Sequence, residues 1–270
     1  MSERIRIGVV CDAHIAPEGT PAVTWHNEFD FSGVLDRMSR ALGRFDEEGV
    51  DGIAFLGDLV HLGDSASVRV GLERLTASRL PVWVVRGNHD RVADVPVQTG
   101  SNLRGIRIAV ADLWRAASGY HATVLPDIAE WDDEPVVVLT HFPLVSCEAR
   151  VASRDFAYAG DLANSAELVE ALVARNAVSI VLSGHLHIRD TTTAGQVIQF
   201  SFPALVEPPY ECSIVELTRL NGRWRLDRTA VSLEHRISER VPVFSPAAES
   251  WHFEGTEWVP EHPLLQEATA

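Results

Sequence analysis

Six short, continuously apolar runs mark the first two thirds of the chain: RIRIGVV (4–10), GIAFLG (52–57), PVWVVRG (81–87), IRIAV (106–110), PVVVLTH (135–141) and VSIVLSG (178–184). Runs of this length without polar alternation predict strands buried on both faces. Helical periodicity fills the gaps between them. Val34, Leu35, Met38, Leu42 and Phe45 form a stripe that stops at Gly49, and Val68, Leu72 and Leu75 mark a second. A third begins near Asp161, where NSAELVEALVAR puts Leu168, Val169, Leu172 and Val173 on one face. Strands alternating with helices predict an α/β fold.

After Gly184 the texture changes. TTTAGQVIQFSFPAL, ECSIVELTR and GRWRLDRTAVSL read as further strands that form or join a second sheet, the last two as a hairpin about Asn221-Gly222. Beyond Arg240 the chain turns to Pro, Glu and aromatics. The reading is a body over residues 1–240 and a tail over 241–270, which packs Trp251 and Trp258 onto the body or is disordered.

Composition narrows the classes. The 46% hydrophobic and 23% charged residues of this 270-residue chain suit a globular protein. No run of eighteen apolar residues occurs, so no membrane-spanning helix is predicted, and the start of the chain shows no cleavage-like site; the expected location is the cytoplasm. The net charge of −15 disfavours nucleic acid as a partner. Every basic residue is arginine, which excludes chemistry that needs a lysine, including a Walker A phosphate site and a Schiff base. Cys11, Cys147 and Cys212 are too few and too scattered for a disulfide framework.

Polar clusters sit where five of the runs end: Asp12 and His14 in CDAHI, Asp58 in GDLVHLGD, Asn88 and His89 in GNHD, His141 in THFP, and His185 and His187 in GHLH. In open α/β sheets ligands bind beyond the carboxyl ends of strands. Alone, each residue has an ordinary reading: Asp58 as a cap, Asn88 as a turn, His141 as a satisfied polar side chain. Together, carboxylates, an amide and imidazoles without thiolates are ligands for divalent ions such as Mn, Fe or Zn. They are too many for one tetrahedral ion and suit two ions roughly 3.5–4 Å apart. Alternate residues of an extended segment share a face, so the pattern predicts that His185 and His187 both face the cluster, as do Asp12 and His14.

In order, Asp-x-His, Gly-Asp, Gly-Asn-His-Asp, a lone His and Gly-His-x-His resemble the calcineurin-like metallophosphoesterases, over roughly residues 5–232. The resemblance implies a four-layer αββα sandwich, two mixed sheets between helices. It implies that Asp12, His14, Asp58 and His187 bind one metal, and that Asp58, Asn88, His141 and His185 bind a second. It also implies that His89, with Asn88, contacts the phosphate, or that His89 protonates the leaving group. Arg86, Arg91, His61 and Trp25 are further candidates for the substrate, and TWHNEFD (24–30) for a wall of the pocket. The protein serine/threonine phosphatase branch carries Tyr-Val-Asp-Arg-Gly after Gly-Asp, whereas this chain reads LVHLG. His61 and Leu62 replace the acid that would orient His89 and the arginine that would grip phosphate. Asp64 and Asp90 are the candidate replacements for that acid.

The expected function is hydrolysis of a small phosphate diester such as a nucleotide, by in-line attack of a metal-activated hydroxide. The alternatives are a phosphomonoesterase, a single-metal hydrolase of amides or esters, and a non-catalytic scaffold on the same fold. A homo-oligomer is compatible with all of these. Ligand imidazoles must be neutral, so activity is expected to fall below about pH 6.

Overall fold

The computed structural model describes residues 4–90, 95, 100–123, 134–158, 160–234 and 240–261. The predicted strands become β1 (Arg4–Val10), β2 (Gly52–Phe55), β3 (Val82–Val84), β5 (Ile106–Ala111), β8 (Val136–Thr140) and β9 (Ser179–Ser183). The three helical stripes become α1 (Val34–Glu48), α2 (Ser65–Thr76) and α4 (Ser165–Val173). Elements that periodicity did not mark are β4 (Ser101–Leu103), a ribbon of β6 (Leu113–Ala116) and β7 (Gly119–Ala122), and the five-residue α3 (Glu148–Ala152). Each is too short to carry a period.

The later strands are β10 (Asp190–Ala194), β11 (Val197–Ser201), β12 (Glu211–Leu220), β13 (Arg223–Ser232), β14 (Ala248–Phe253) and β15 (Trp258–Pro260). They divide between two sheets. One runs β15-β14-β13-β12-β1-β2-β3, the other β10-β11-β9-β8-β5-β4. β12 and β13 meet at Asn221 and Gly222, both left-handed (φ 52° and 81°), as a two-residue hairpin turn demands. Instead of building a second sheet, this hairpin extends the first, with β12 antiparallel to β1.

Three apolar layers hold the sandwich together. Between the sheets, Ile5, Ile7 and Val9 of β1 face Val137 and Leu139 of β8 and Ile180 and Leu182 of β9. Outside the first sheet, Met38 and Phe45 of α1 and Leu75 of α2 cover Ile53 and Phe55. Outside the second, Leu168 and Leu172 of α4 cover Val136, Val138 and Val181. The architecture is the expected αββα sandwich of mixed sheets. Trp251 and Trp258, from the segment after residue 240, lie 6% and 4% exposed in the layer between the sheets. Residues 262–270 of that segment lie outside the described residues. Among the described residues, no helix is long and apolar enough to cross a membrane.

β1, β2 and β3 are parallel, as are β5, β8, β9 and β11. The chain beyond the ends of β1, β2, β3, β8 and β9 gathers at one edge of the sandwich. Asp12 N–H bonds to Gly57 O (3.0 Å), His14 N–H to Asp58 O (2.9 Å), and Gly184 N–H to His141 O (2.9 Å). These bonds stitch the polar clusters together.

Candidate metal centre

The two histidines of GHLH do not reach the cluster by strand alternation. β9 ends at Ser183, and His185 and His187 stand beyond it with φ of 68° and 54°. Asp12 (52°), His14 (48°) and Asp58 (52°) are also left-handed. A non-glycine residue there costs on the order of 1–3 kcal/mol and persists only where its surroundings over-determine it. Tight turns, rather than a pleat, aim these side chains at one point.

All seven predicted ligands converge. Asp58 Oδ2 lies 3.6 Å from His14 Nε2 and 3.3 Å from His141 Nε2. His187 Nε2 lies 3.4 Å from Asp12 Oδ1 and 3.4 Å from His14 Nε2. Asn88 Oδ1 is 3.2 Å from His141 Nε2, and the His141 and His185 rings are 5.1 Å apart. Asp12, His14 and His187 form one set and Asp58, His141 and His185 another, each with ligand atoms within 4.8 Å of one another; His14, His61 and His89 form a third.

A backbone carbonyl and a carboxylate behind the cluster fix the tautomers of two rings. His141 Nδ1 donates to Leu56 O (2.8 Å), and His187 Nδ1 donates to Glu207 Oε1 (2.6 Å). In both rings Nε2 is left to face the cluster. His185 Nε2 is buried with no hydrogen-bond partner, and among the described residues no arginine pairs with Asp12, Asp58 or Glu207. Lone pairs facing one another beside buried carboxylates call for cations, so the donor set fits divalent metal. Cys11 takes no part. Its thiol points to Phe202 O and Pro203 O, and burial pushes its pKa well up.

Protons hold this place in the metal-free chain. Burial opposes charge on His141, but Asp58 and then Asp12 lift its pKa to about 9. Burial likewise opposes charge on His187, but Asp12 and then Glu207 lift it to about 10. His14 has no comparable compensation, and burial lowers it to about 3. Burial and then His141 push His185 well below the usual imidazole range. Burial also opposes ionisation of Asp58, but His141 and His14 hold it well below the carboxylate range.

His89 stands at the mouth of the cluster. Its backbone N–H donates to Asp58 Oδ1 (2.8 Å), and its ring stacks on His61 (5.2 Å, 19°). The expected orienting acids do other work: Asp90 accepts Gly87 N–H and Val60 N–H, and Asp64 caps α2 through Ser67 N–H. A backbone carbonyl orients His89 instead, with Nδ1 donating to His61 O at 2.8 Å. His61 belongs to the site, its Nδ1 3.4 Å from His14 Nδ1. Arg86 is tied to Asp112, and Trp25 packs on the α1 side of the core. Arg91 lies outside the described residues.

Three further neighbours escaped the sequence reading. Phe29, within TWHNEFD, packs 5.2 Å from His14 and 5.6 Å from His187, so that segment does wall the cluster. Phe142 stacks on His185 with centroids 3.6 Å apart; its place beside His141 was the one available clue. Glu207, in VEPPY, had no local signal. Two motif glycines let backbone crowd the carboxylates. A Cβ on Gly87 would sit 2.1 Å from Asp58 Oδ1 and 2.3 Å from Asp58 N, and one on Gly184 would sit 2.7 Å from Asp12 Oδ2.

The family profile described as calcineurin-like phosphoesterase matches residues 5–189. No curated protein matches the chain in sequence. Among solved structures, a dimetal phosphatase from Danio rerio superposes with TM-score 0.62 at 13% identity, covering 85% of this chain and 99% of that one. Purple acid phosphatase PPD1 from yellow lupin (Lupinus luteus) gives 0.54 at 13% identity, covering 90% of this chain and 54% of that one. At such identities the structures share a fold and nothing finer. The profile spans more than half the sequence and all but the last strands of the second sheet, and by it the chain belongs to the calcineurin-like phosphoesterases, hydrolases of phosphate esters.

Proposed function

We propose that the chain is a dinuclear phosphodiesterase acting on a small phosphate diester such as a nucleotide. Asp12, His14, Asp58 and His187 would hold one divalent ion, and Asp58, Asn88, His141 and His185 the other. Asp58 carries the reading: a single oxygen, Oδ2, faces both sets at 3.6 and 3.3 Å, as a shared carboxylate must. When bound, the ions, Mn, Fe or Zn by donor type, would supply Lewis acidity at the phosphoryl oxygens and an acidified water.

The chain's own groups do the rest. With Oδ1 turned toward His141, Asn88 presents its amide N–H groups to a phosphoryl oxygen. His89, fixed at Nδ1 by the His61 carbonyl, has Nε2 available to carry a proton to the departing ester oxygen. Phe29 and Phe142 exclude water from the imidazoles behind them.

A diester carries a single charge and needs no cation beyond the two ions. Arg86, the nearby cation that could have gripped a second charge, is held by Asp112. The net charge of −15 disfavours nucleic acid. Three free, buried thiols suit a reducing compartment such as the cytoplasm.

Hydrolysis of bis(p-nitrophenyl) phosphate and p-nitrophenyl phosphate, with elemental analysis of the same sample, tests the proposal. Two ions per chain and faster diester turnover are expected. Faster monoester turnover would make the protein a monoesterase, and a metal-free, inactive preparation would make it a scaffold.

A further inference from the structure

Glu207 is fully buried, and its carboxylate has two partners. Oε1 accepts from His187 Nδ1 at 2.6 Å, and Oε2 accepts the Asn27 backbone N–H at 2.6 Å. Its position is set by backbone bonds just upstream, Leu205 N–H to Cys11 O (3.1 Å) and Val206 N–H to Asp12 O (3.3 Å). A segment that follows β11 is thereby laid along the loop that bears Asp12 and His14. The neighbours Ala204, Leu205 and Val206 are equally buried. An ionised carboxylate in such surroundings is costly unless positive charge stands close by. Among the described residues no arginine does so; its charged partner is the His187 ring, at Nδ1.

Among the described residues, the outer nitrogen of His187 is backed by a carboxylate, whereas His141 leans on a neutral carbonyl, Leu56 O. A carboxylate behind an imidazole N–H fixes the tautomer, orients the ring and makes the opposite nitrogen a stronger donor to metal. We propose that Glu207 is a positioning residue of the metal centre, which acts through His187 to strengthen the hold on the ion that His187 ligates. This inference rests on the two-cation reading above. The competing role is mechanical: through Asn27, Glu207 would merely pin the 24–30 segment.

The test is Mn(II) titration of the chelator-stripped full chain by calorimetry, comparing the parent with Glu207→Gln, Glu207→Ala and His187→Ala. Circular dichroism checks that each variant folds, and the isosteric Gln variant guards against collapse of the Ala one. The parent is expected to bind two ions. Both Glu207 variants should hold one ion with parental affinity and the other about 10–100-fold more weakly, with His187→Ala weaker still at that ion. The visible bands of the Co(II)-loaded Gln variant should shift, which loss of a loop anchor alone would not cause. Folded Glu207 variants that bind both ions as the parent does would overturn the assignment and leave the phosphodiesterase reading intact. A parent chain that takes up no Mn(II) would remove both.

Discussion

Lowering the pH from 8 to 7 should weaken metal uptake steeply, and the site sets the size of the effect. His141 and His187, at about 9 and about 10 in the metal-free chain, are both protonated across that interval, while His14, at about 3, and His185, well below its usual range, are neutral. The protons on the first two rings occupy the Nε2 atoms that face the cluster. A pair of ions must displace both. Loading should therefore release about two protons per chain, and the overall binding constant should fall about 100-fold per pH unit, or about 2.7 kcal/mol. Calorimetry at fixed pH in two buffers of different ionisation enthalpy counts the protons, and titrations at pH 7 and 8 give the slope. Release of less than one proton, or an affinity flat over this range, would refute the assignment of charge. At subsaturating metal, activity should climb from pH 7 toward 9, well above the threshold near 6 that free histidine suggests. The same protons stabilise the metal-free fold. Because both pKa values are raised, that contribution is complete below about 6.5 and is lost as pH rises through about 9 and 10, so the metal-free chain alone should melt earlier at alkaline pH.

Gly87→Ala should disable the site while sparing the sandwich: its Cβ meets backbone as well as carboxylate of Asp58, and an atomic shift of about 1 Å can cost about 100-fold in rate. Turnover and metal content should fall together with an unchanged circular dichroism spectrum; a normal rate would show that Asp58 can move freely. A chain ending at Ala247 loses β14 and β15 with the buried Trp251 and Trp258, each comparable to a core truncation of about 3–5 kcal/mol against a typical total of about 5–15. It should be insoluble or melt far below the parent, and a cooperative melt near the parental temperature would show that the last strands are dispensable.

Much of this was legible along the chain because it depends on local patterning. Buried parallel strands must be apolar throughout and helices on their outer faces must be striped, so β1, β2, β5, β8, β9 and the three longer helices stood out. The seven candidate ligands were visible because metal chemistry needs a narrow choice of side chains, and strand ends are where such a fold can gather them. What the sequence could not show is how they gather. The left-handed turns at His185 and His187, the shared oxygen of Asp58 and the carbonyl that orients His89 arise from bonds between loops 28 or more residues apart. Glu207 and Phe29 lie beside the cluster because backbone bonds dock their segments there, and no spacing in the sequence records that. The identity of the donors is a property of the amino acids, read one position at a time. Their tautomers, charges and common focus depend on burial and distance, which exist only once the two sheets have closed on each other.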